Sequence, residues 1–163
     1  MRKLIFGLLL GGLFFAWGAA ANAQTVYNFN DGLAAAKSQN KMIIVNIYSE
    51  SDKWSQKMDE VYQNPDVQSL MGSFIYVKLN PTGNETYSYN GKEYKAAELA
   101  KVLGLTSYPT HAFLTSDGNV IKFKYNGVES SSFPGYVDDG DFSSILIYFR
   151  DGMYSTTDLS TVL

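Results

Sequence analysis

The chain opens on an uncharged apolar run and then settles into short alternating segments. Arg2 and Lys3 precede residues 4–17, which carry no charge, and small residues lead on to Ala21-Asn22-Ala23. A positive start, an apolar middle and an A-x-A end predict a cleaved secretory signal peptide over 1–23, with Gln24 heading the mature chain. The uncharged stretch 4–21 is marginal for crossing a bilayer, and its small-residue end favours cleavage over anchoring. No later segment is long and apolar enough to span, so no membrane span is expected after cleavage.

Beyond the leader, strand-like and helix-like patterns alternate. Asn30 and Asp31 offer a cap for a short helix carrying Leu33 and residues 34–36. Residues 42–48 (MIIVNIY) are apolar and β-branched, which predicts a buried strand. Over 52–62, Trp54, Met58, Val61 and Tyr62 recur at helical spacing. Asn64-Pro65-Asp66 predicts another helix start: Asn caps, Pro fits the first turn, and Asp suits the positive end. Val67, Leu70 and Met71 form that helix's apolar side, and 74–79 read as a second buried strand. Segment 81–94 then changes character, with Gly, Asn, Thr and the tyrosines Tyr87, Tyr89 and Tyr94. Asn90-Gly91 is a strong turn signal, and we read 81–94 as an inserted loop with a small hairpin. A helix over 96–103 stops at Gly104. Residues 111–114 and 120–125 predict a strand pair about the turn 116–119. A last amphipathic helix spans 138–149 with Phe142, Ile145, Leu146 and Phe149 inward, and the tail from Arg150 is short and polar. Interleaved strands and helices predict a single α/β domain over 24–163, a central sheet flanked by helices on both faces. The sheet is mostly parallel but mixed, because strands joined by so short a turn must be antiparallel.

Composition narrows the function classes. The chain has 163 residues, 45% of them apolar, enough for one cored domain. Its formal net charge of -3 becomes more acidic once Arg2 and Lys3 leave, which argues against a general nucleic-acid binder. Cysteine is absent, so disulfides, thiolate metal sites and thiol nucleophiles are excluded together. One histidine, His111, with scattered carboxylates gives no metal-ligand spacing, and no cofactor is expected. A leader on a protein of this kind points to the periplasm, with full secretion as the alternative.

The element order, with one landmark, resembles the thioredoxin superfamily. The landmark is Tyr108-Pro109-Thr110, after a helix and before a strand, where that family carries a cis-proline facing its active site. The run 104–110 followed by Ala112-Phe113-Leu114 and Asp117-Gly118 looks like the family's helix end, cis-proline loop and hairpin. Residues 43–48 followed by Trp54-Ser55-Gln56-Lys57-Met58 are similar to the strand and helix that flank its redox motif. Gly135-Tyr136-Val137 with 142–149 resembles the exported SoxW-like and DsbD-domain-like members. The resemblance covers nearly all of 27–150 and implies a thioredoxin-like three-layer sandwich with a central mixed sheet. Relatives carry W-C-x-x-C at the start of the second helix. Counting back from Met58, the cysteine positions fall on Asp52 and Ser55, within Asp52-Lys53-Trp54-Ser55. Disulfide exchange needs a thiolate and a resolving thiol, so this chemistry is absent.

Asp52 and Ser55 have the spacing of a helix cap. A Ser55-His111-Asp52 grouping for a cryptic hydrolase is conceivable, against the plainer reading of His111 as a partly exposed strand residue. Trp54 is either core, from its spacing to Met58 and Val61, or half exposed beside Tyr108 as a binding anchor. The resemblance implies that peptides are held at the proline loop by main-chain hydrogen bonds, which need no sulfur. The candidate binding set is Trp54, Tyr108, Pro109 and Thr110. Tyr87, Tyr89 and Tyr94 are outlying candidates in a Tyr/Gly/Asn-rich loop, or else cover the sheet edge. The expectation is an exported, redox-inactive module that binds a protein or peptide of the cell envelope, chaperone-like or as a decoy for a true thioredoxin's partners. The alternative is a structural or accessory subunit of an envelope assembly.

Overall fold

A computed structural model describes residues 24–163, and the segment 1–23, where a signal peptide is expected, lies outside the described residues. The elements run β1 (Val26–Tyr27), α1 (Phe29–Gln39), β2 (Met42–Ile47), α2 (Lys53–Val61), α3 (Pro65–Met71) and β3 (Phe74–Leu79). They continue with β4 (Thr86–Tyr89), β5 (Lys92–Lys95), α4 (Ala96–Val102), β6 (Thr110–Leu114), β7 (Phe123–Tyr125), β8 (Val128–Ser130), β9 (Ser132–Pro134) and α5 (Asp139–Arg150). Five strands form the central sheet in the order β1-β3-β2-β6-β9. β3 pairs parallel with β1 and with β2, while β6 pairs antiparallel with β2 and with β9. The sheet is therefore mixed.

β2 and β3 are predominantly apolar, Asn46 and Lys78 apart, because helices cover both faces. Ile44, Phe74, Tyr76 and Phe113 face Met58, Val61, Val67 and Phe142 from α2, α3 and α5. Ile43, Val45, Val77 and Leu114 face Phe29, Ala36, Leu99 and Ala100 from α1 and α4. Close approach on that second side requires Gly32, since a methyl there would collide with Val77 Cγ2. Gly104 ends α4 at φ +90°, where a side chain would also meet Ser132 Oγ at 2.6 Å.

The sequence reading needs correction in four places. The cap of α1 is Asn28, whose side chain accepts from Asp31 N–H; Asn30 instead bonds Ser88 of the hairpin through both its amide atoms. Residues 120–125 do not pair with β6 along their length, and only Val120 bridges to Leu114. The rest turns away at Asn126-Gly127 (φ 51° and 78°) to make the β7–β8 hairpin, and β9 takes the place beside β6. The short β1 at the sheet edge is a further strand. The tail is part of the fold: Leu159 is fully buried, Tyr148 Oη donates to the Thr157 carbonyl at 2.7 Å, and the Asp158 carboxylate accepts from Asn126 N–H at 3.0 Å and Gly127 N–H at 2.6 Å.

Candidate functional site

The site is assembled where β2 runs into α2. Asp52 has extended backbone angles and caps α2, its Oδ1 accepting from Ser55 N–H at 2.7 Å. Ser55 is buried, and its Oγ accepts from Ser49 N–H at 3.3 Å. Gln56 Nε2 donates to the Glu50 carbonyl at 2.7 Å, which ties down the turn before the helix. This geometry makes Asp52 and Ser55 a cap.

Trp54 points outward, 44% exposed. The inward stripe of α2 is led by Ser55, followed by Met58 and Val61, so the first turn turns its indole to solvent. Its partner is Tyr136, with ring centroids 5.5 Å apart and planes tilted by 32°. Lys53 Nζ lies 5.1 Å from the Trp54 ring centre, and Lys57 Nζ lies 5.6 Å from that of Tyr136. A small depression lined by Glu60, Val61, Asn64, Tyr136 and Asp139 borders this face.

The proline loop reaches the same place through β9. The Tyr108–Pro109 bond is cis. Pro109 is buried, and its carbonyl accepts from Gly135 N–H at 2.7 Å, next to Tyr136. Thr110 is buried and donates its hydroxyl to the Ser107 carbonyl at 2.6 Å. Tyr108 is half buried and packs against the core on the α1–α4 side. The aromatic partner of Trp54 is thus Tyr136 rather than Tyr108. Its signal in the sequence was a tyrosine directly after Pro134-Gly135, at the end of a strand that could not be foreseen.

The outlying tyrosines lie elsewhere. Tyr87 and Tyr89 are only 8% and 5% exposed and pack edge-on against Phe29, at 6.0 and 5.4 Å. Tyr89 Oη donates to the Gly118 carbonyl at 3.0 Å. Tyr94 is half buried against the same core. The tyrosines pack on Phe29 at the start of α1 rather than along a sheet edge, and the hairpin closes over α1, on the sheet face opposite α2.

His111 is not partly exposed. It is fully buried, and Tyr62 Oη meets its Nε2. Asn46, opposite His111 in the β2–β6 register, donates from Nδ2 to Tyr76 Oη at 3.0 Å. Asn46 Oδ1 and His111 Nδ1 have no hydrogen-bond partner among the described residues. Burial pushes the His111 pKa down to about 4, and the Phe133 backbone opposes this more weakly. Burial likewise pushes the Tyr62 and Tyr76 phenols up. The network is neutral near pH 7. His111 Nε2 is engaged by Tyr62, Ser55 Oγ by Ser49 N–H and Asp52 by Ser55 N–H, so the Ser55-His111-Asp52 grouping is not assembled. Among the described residues no group of three or more His, Asp or Glu could hold a metal, and no helix is long and apolar enough to cross a membrane.

A family model described as a thioredoxin-like domain matches residues 29–150. The chain belongs to this thioredoxin-like family. Solved structures that this thioredoxin-like domain is similar to include a thioredoxin from Thermus thermophilus, 20% identical over 78% of this chain and 87% of that one, with a TM-score of 0.55. A thioredoxin-fold protein from Helicobacter pylori is 16% identical over 88% and 89%, with a TM-score of 0.58. A DsbH oxidoreductase is 14% identical over 93% and 96%, with a TM-score of 0.55. At these identities the likeness is one of fold. No protein of curated function matches the chain in sequence. The thioredoxin-like domain described here has no cysteine, and so has no thiols for disulfide exchange.

Proposed function

We propose that this is an exported, redox-inactive thioredoxin-like domain that binds protein or peptide segments of the cell envelope, in the periplasm. On this reading Asp52 and Ser55 stand where relatives carry the exchanging cysteines, and the surface around them serves binding alone. The observation that carries it is the exposed Trp54 packed on the partly buried Tyr136 beside the Pro109 loop, on a domain that has no thiols for disulfide exchange. Large amphipathic rings give much contact area for little lost side-chain freedom.

Strand-like recognition at the loop would fall to Tyr108. The Pro109 carbonyl is taken by Gly135 and the Ser107 carbonyl by Thr110, whereas the Tyr108 main chain has no backbone partner among the described residues. Trp54 and Tyr136 would then receive the ligand's side chains, with Pro109 and Thr110 shaping the loop from within. A hydrolase is disfavoured, since the Ser55 hydroxyl is buried and has no base beside it.

The test is capture from envelope extracts of the host, comparing the purified protein with a Trp54→Ala, Tyr136→Ala double variant. A partner held by the parent and lost by the variant is the expected result. A partner held equally by both would move binding to another surface, as an accessory subunit would show.

A further inference from the structure

We propose that the Trp54–Tyr136 face takes an acidic peptide segment, with an apolar side chain on the two rings and a carboxylate held between Lys53 and Lys57. This rests on the peptide-binding reading and adds the chemistry of the ligand. Lys53 and Lys57 stand one helical turn apart on the exposed side of α2. Each ammonium lies beside one ring of the pair, Lys53 by the exposed Trp54 and Lys57 by the partly buried Tyr136, so the cations frame the aromatic platform rather than sitting apart from it.

Neither lysine has an acidic partner. The ion pairs among the described residues are Lys78–Asp59, Lys122–Glu129 and Arg150–Asp151. Of the carboxylates on or before α2, Asp59 is committed to Lys78, and Asp52 to capping Ser55 N–H. Glu50 and Glu60 form no ion pair with either lysine. Lys53 and Lys57 therefore have no ion-pair partner among the described residues and flank the half-exposed Trp54 ring and the partly buried Tyr136 ring, on a stretch of chain that also carries Glu50, Asp52, Asp59 and Glu60. An exposed cation–ring contact is weak, so an incoming carboxylate would draw the ammonium groups away with little loss.

The flanks also give the ligand a direction. The depression that Tyr136 lines together with Glu60 and Asp139 carries two carboxylates, which would repel a carboxylate there. The acidic group of the ligand therefore belongs at the Lys53–Lys57 end. Next to the depression, the ligand should carry a neutral or basic residue.

The test uses fluorescence anisotropy with three labelled peptide pools. The pools share randomised apolar positions and differ only in a central pair, Asp-Asp, Asn-Asn or Lys-Lys. The Asp pool should bind about tenfold more tightly than the Lys pool at low salt, with the Asn pool between them. The gap should close at high salt, where exposed charges are screened. A Lys53→Glu, Lys57→Glu variant should reverse the order while unfolding at the same temperature. Equal binding of all three pools, lost in Trp54→Ala, would leave the peptide-binding face standing and overturn the acidic preference. Binding of none of the pools would overturn both.

Discussion

Acidification from pH 7 to pH 5 should destabilise the folded domain by about 2 kcal/mol through His111 alone. In the unfolded chain this imidazole titrates near its ordinary value of 6.5, whereas burial holds it at about 4 in the native fold. Between those values the unfolded state binds a proton that the native state refuses, so stability falls as pH falls. The full gap is worth about 3 kcal/mol and is reached only below pH 4, at about 1.4 kcal/mol per pKa unit. That is a large part of the roughly 5–15 kcal/mol that holds a domain of this kind together. The structural cause is specific: no carboxylate pairs with His111, Nδ1 has no hydrogen-bond partner, and Nε2 meets a neutral phenol. Because this is the chain's one histidine, the interval between pH 7 and 5 belongs to it. The assay is urea unfolding followed by circular dichroism across that range, for the parent and for His111→Gln. An amide at this position keeps a polar partner for Tyr62 but does not titrate. The parent's stability minus the variant's should fall by about 2 kcal/mol from pH 7 to pH 5, whatever its starting value. A constant difference across the range would refute the burial account, because it would mean that His111 takes up its proton as readily in the native state as in the unfolded chain.

Other perturbations follow from particular contacts. Gly32→Ala should destabilise by about 1–3 kcal/mol in thermal unfolding, against the helix-propensity expectation of a gain, because the methyl meets Val77. Adding Val77→Ala should then be less harmful than the sum of the single changes, since each relieves the other. Asp158→Asn should speed hydrogen exchange at Asn126 and Gly127, whose N–H groups its carboxylate holds, and leave exchange in β2 and β3 unchanged. Asp52→Cys with Ser55→Cys should form a disulfide and let the protein reduce insulin, which the parent should not do; an inert disulfide would place the family's cysteine positions elsewhere. Trp54→Ala should lower stability by at most about 1.5 kcal/mol, the upper value for an aromatic pair, since the ring is half exposed.

Much of this fold is legible in the chain because its main elements are specified locally. The runs at β2 and β3 are apolar on both faces, Asn64-Pro65-Asp66 opens α3, and Phe142, Ile145, Leu146 and Phe149 mark the buried side of α5. Asn90-Gly91 announces the β4–β5 hairpin. The stretch from 120 to 134 was not legible, because its strands are only three residues long and its turn is held from Asp158, far along the chain. Asn126-Gly127 carried the same signal as Asn90-Gly91 and could have been read. The burial of His111 depends on Tyr62 at the far end of α2, a non-local contact that no spacing reveals. At the candidate site, spacing left Trp54 between core and surface. What decides its place is that Ser55 takes the inward position of the first turn. Tyr136 is named in the sequence only within Gly135-Tyr136-Val137, and its place beside Trp54 is not legible there because it joins the face through β9 and the Gly135–Pro109 hydrogen bond.

The central claim is that a partner docks on the Trp54–Tyr136 face. The most direct measurement is site-specific photo-crosslinking in the intact host envelope. A benzophenone side chain would be placed in turn at Trp54, at Asn90 on the tip of the β4–β5 hairpin, and at Val128, which is exposed on β8. The account predicts a discrete adduct from position 54 that is absent from positions 90 and 128. Adducts from 90 or 128, with none from 54, would contradict it and place the function on another surface.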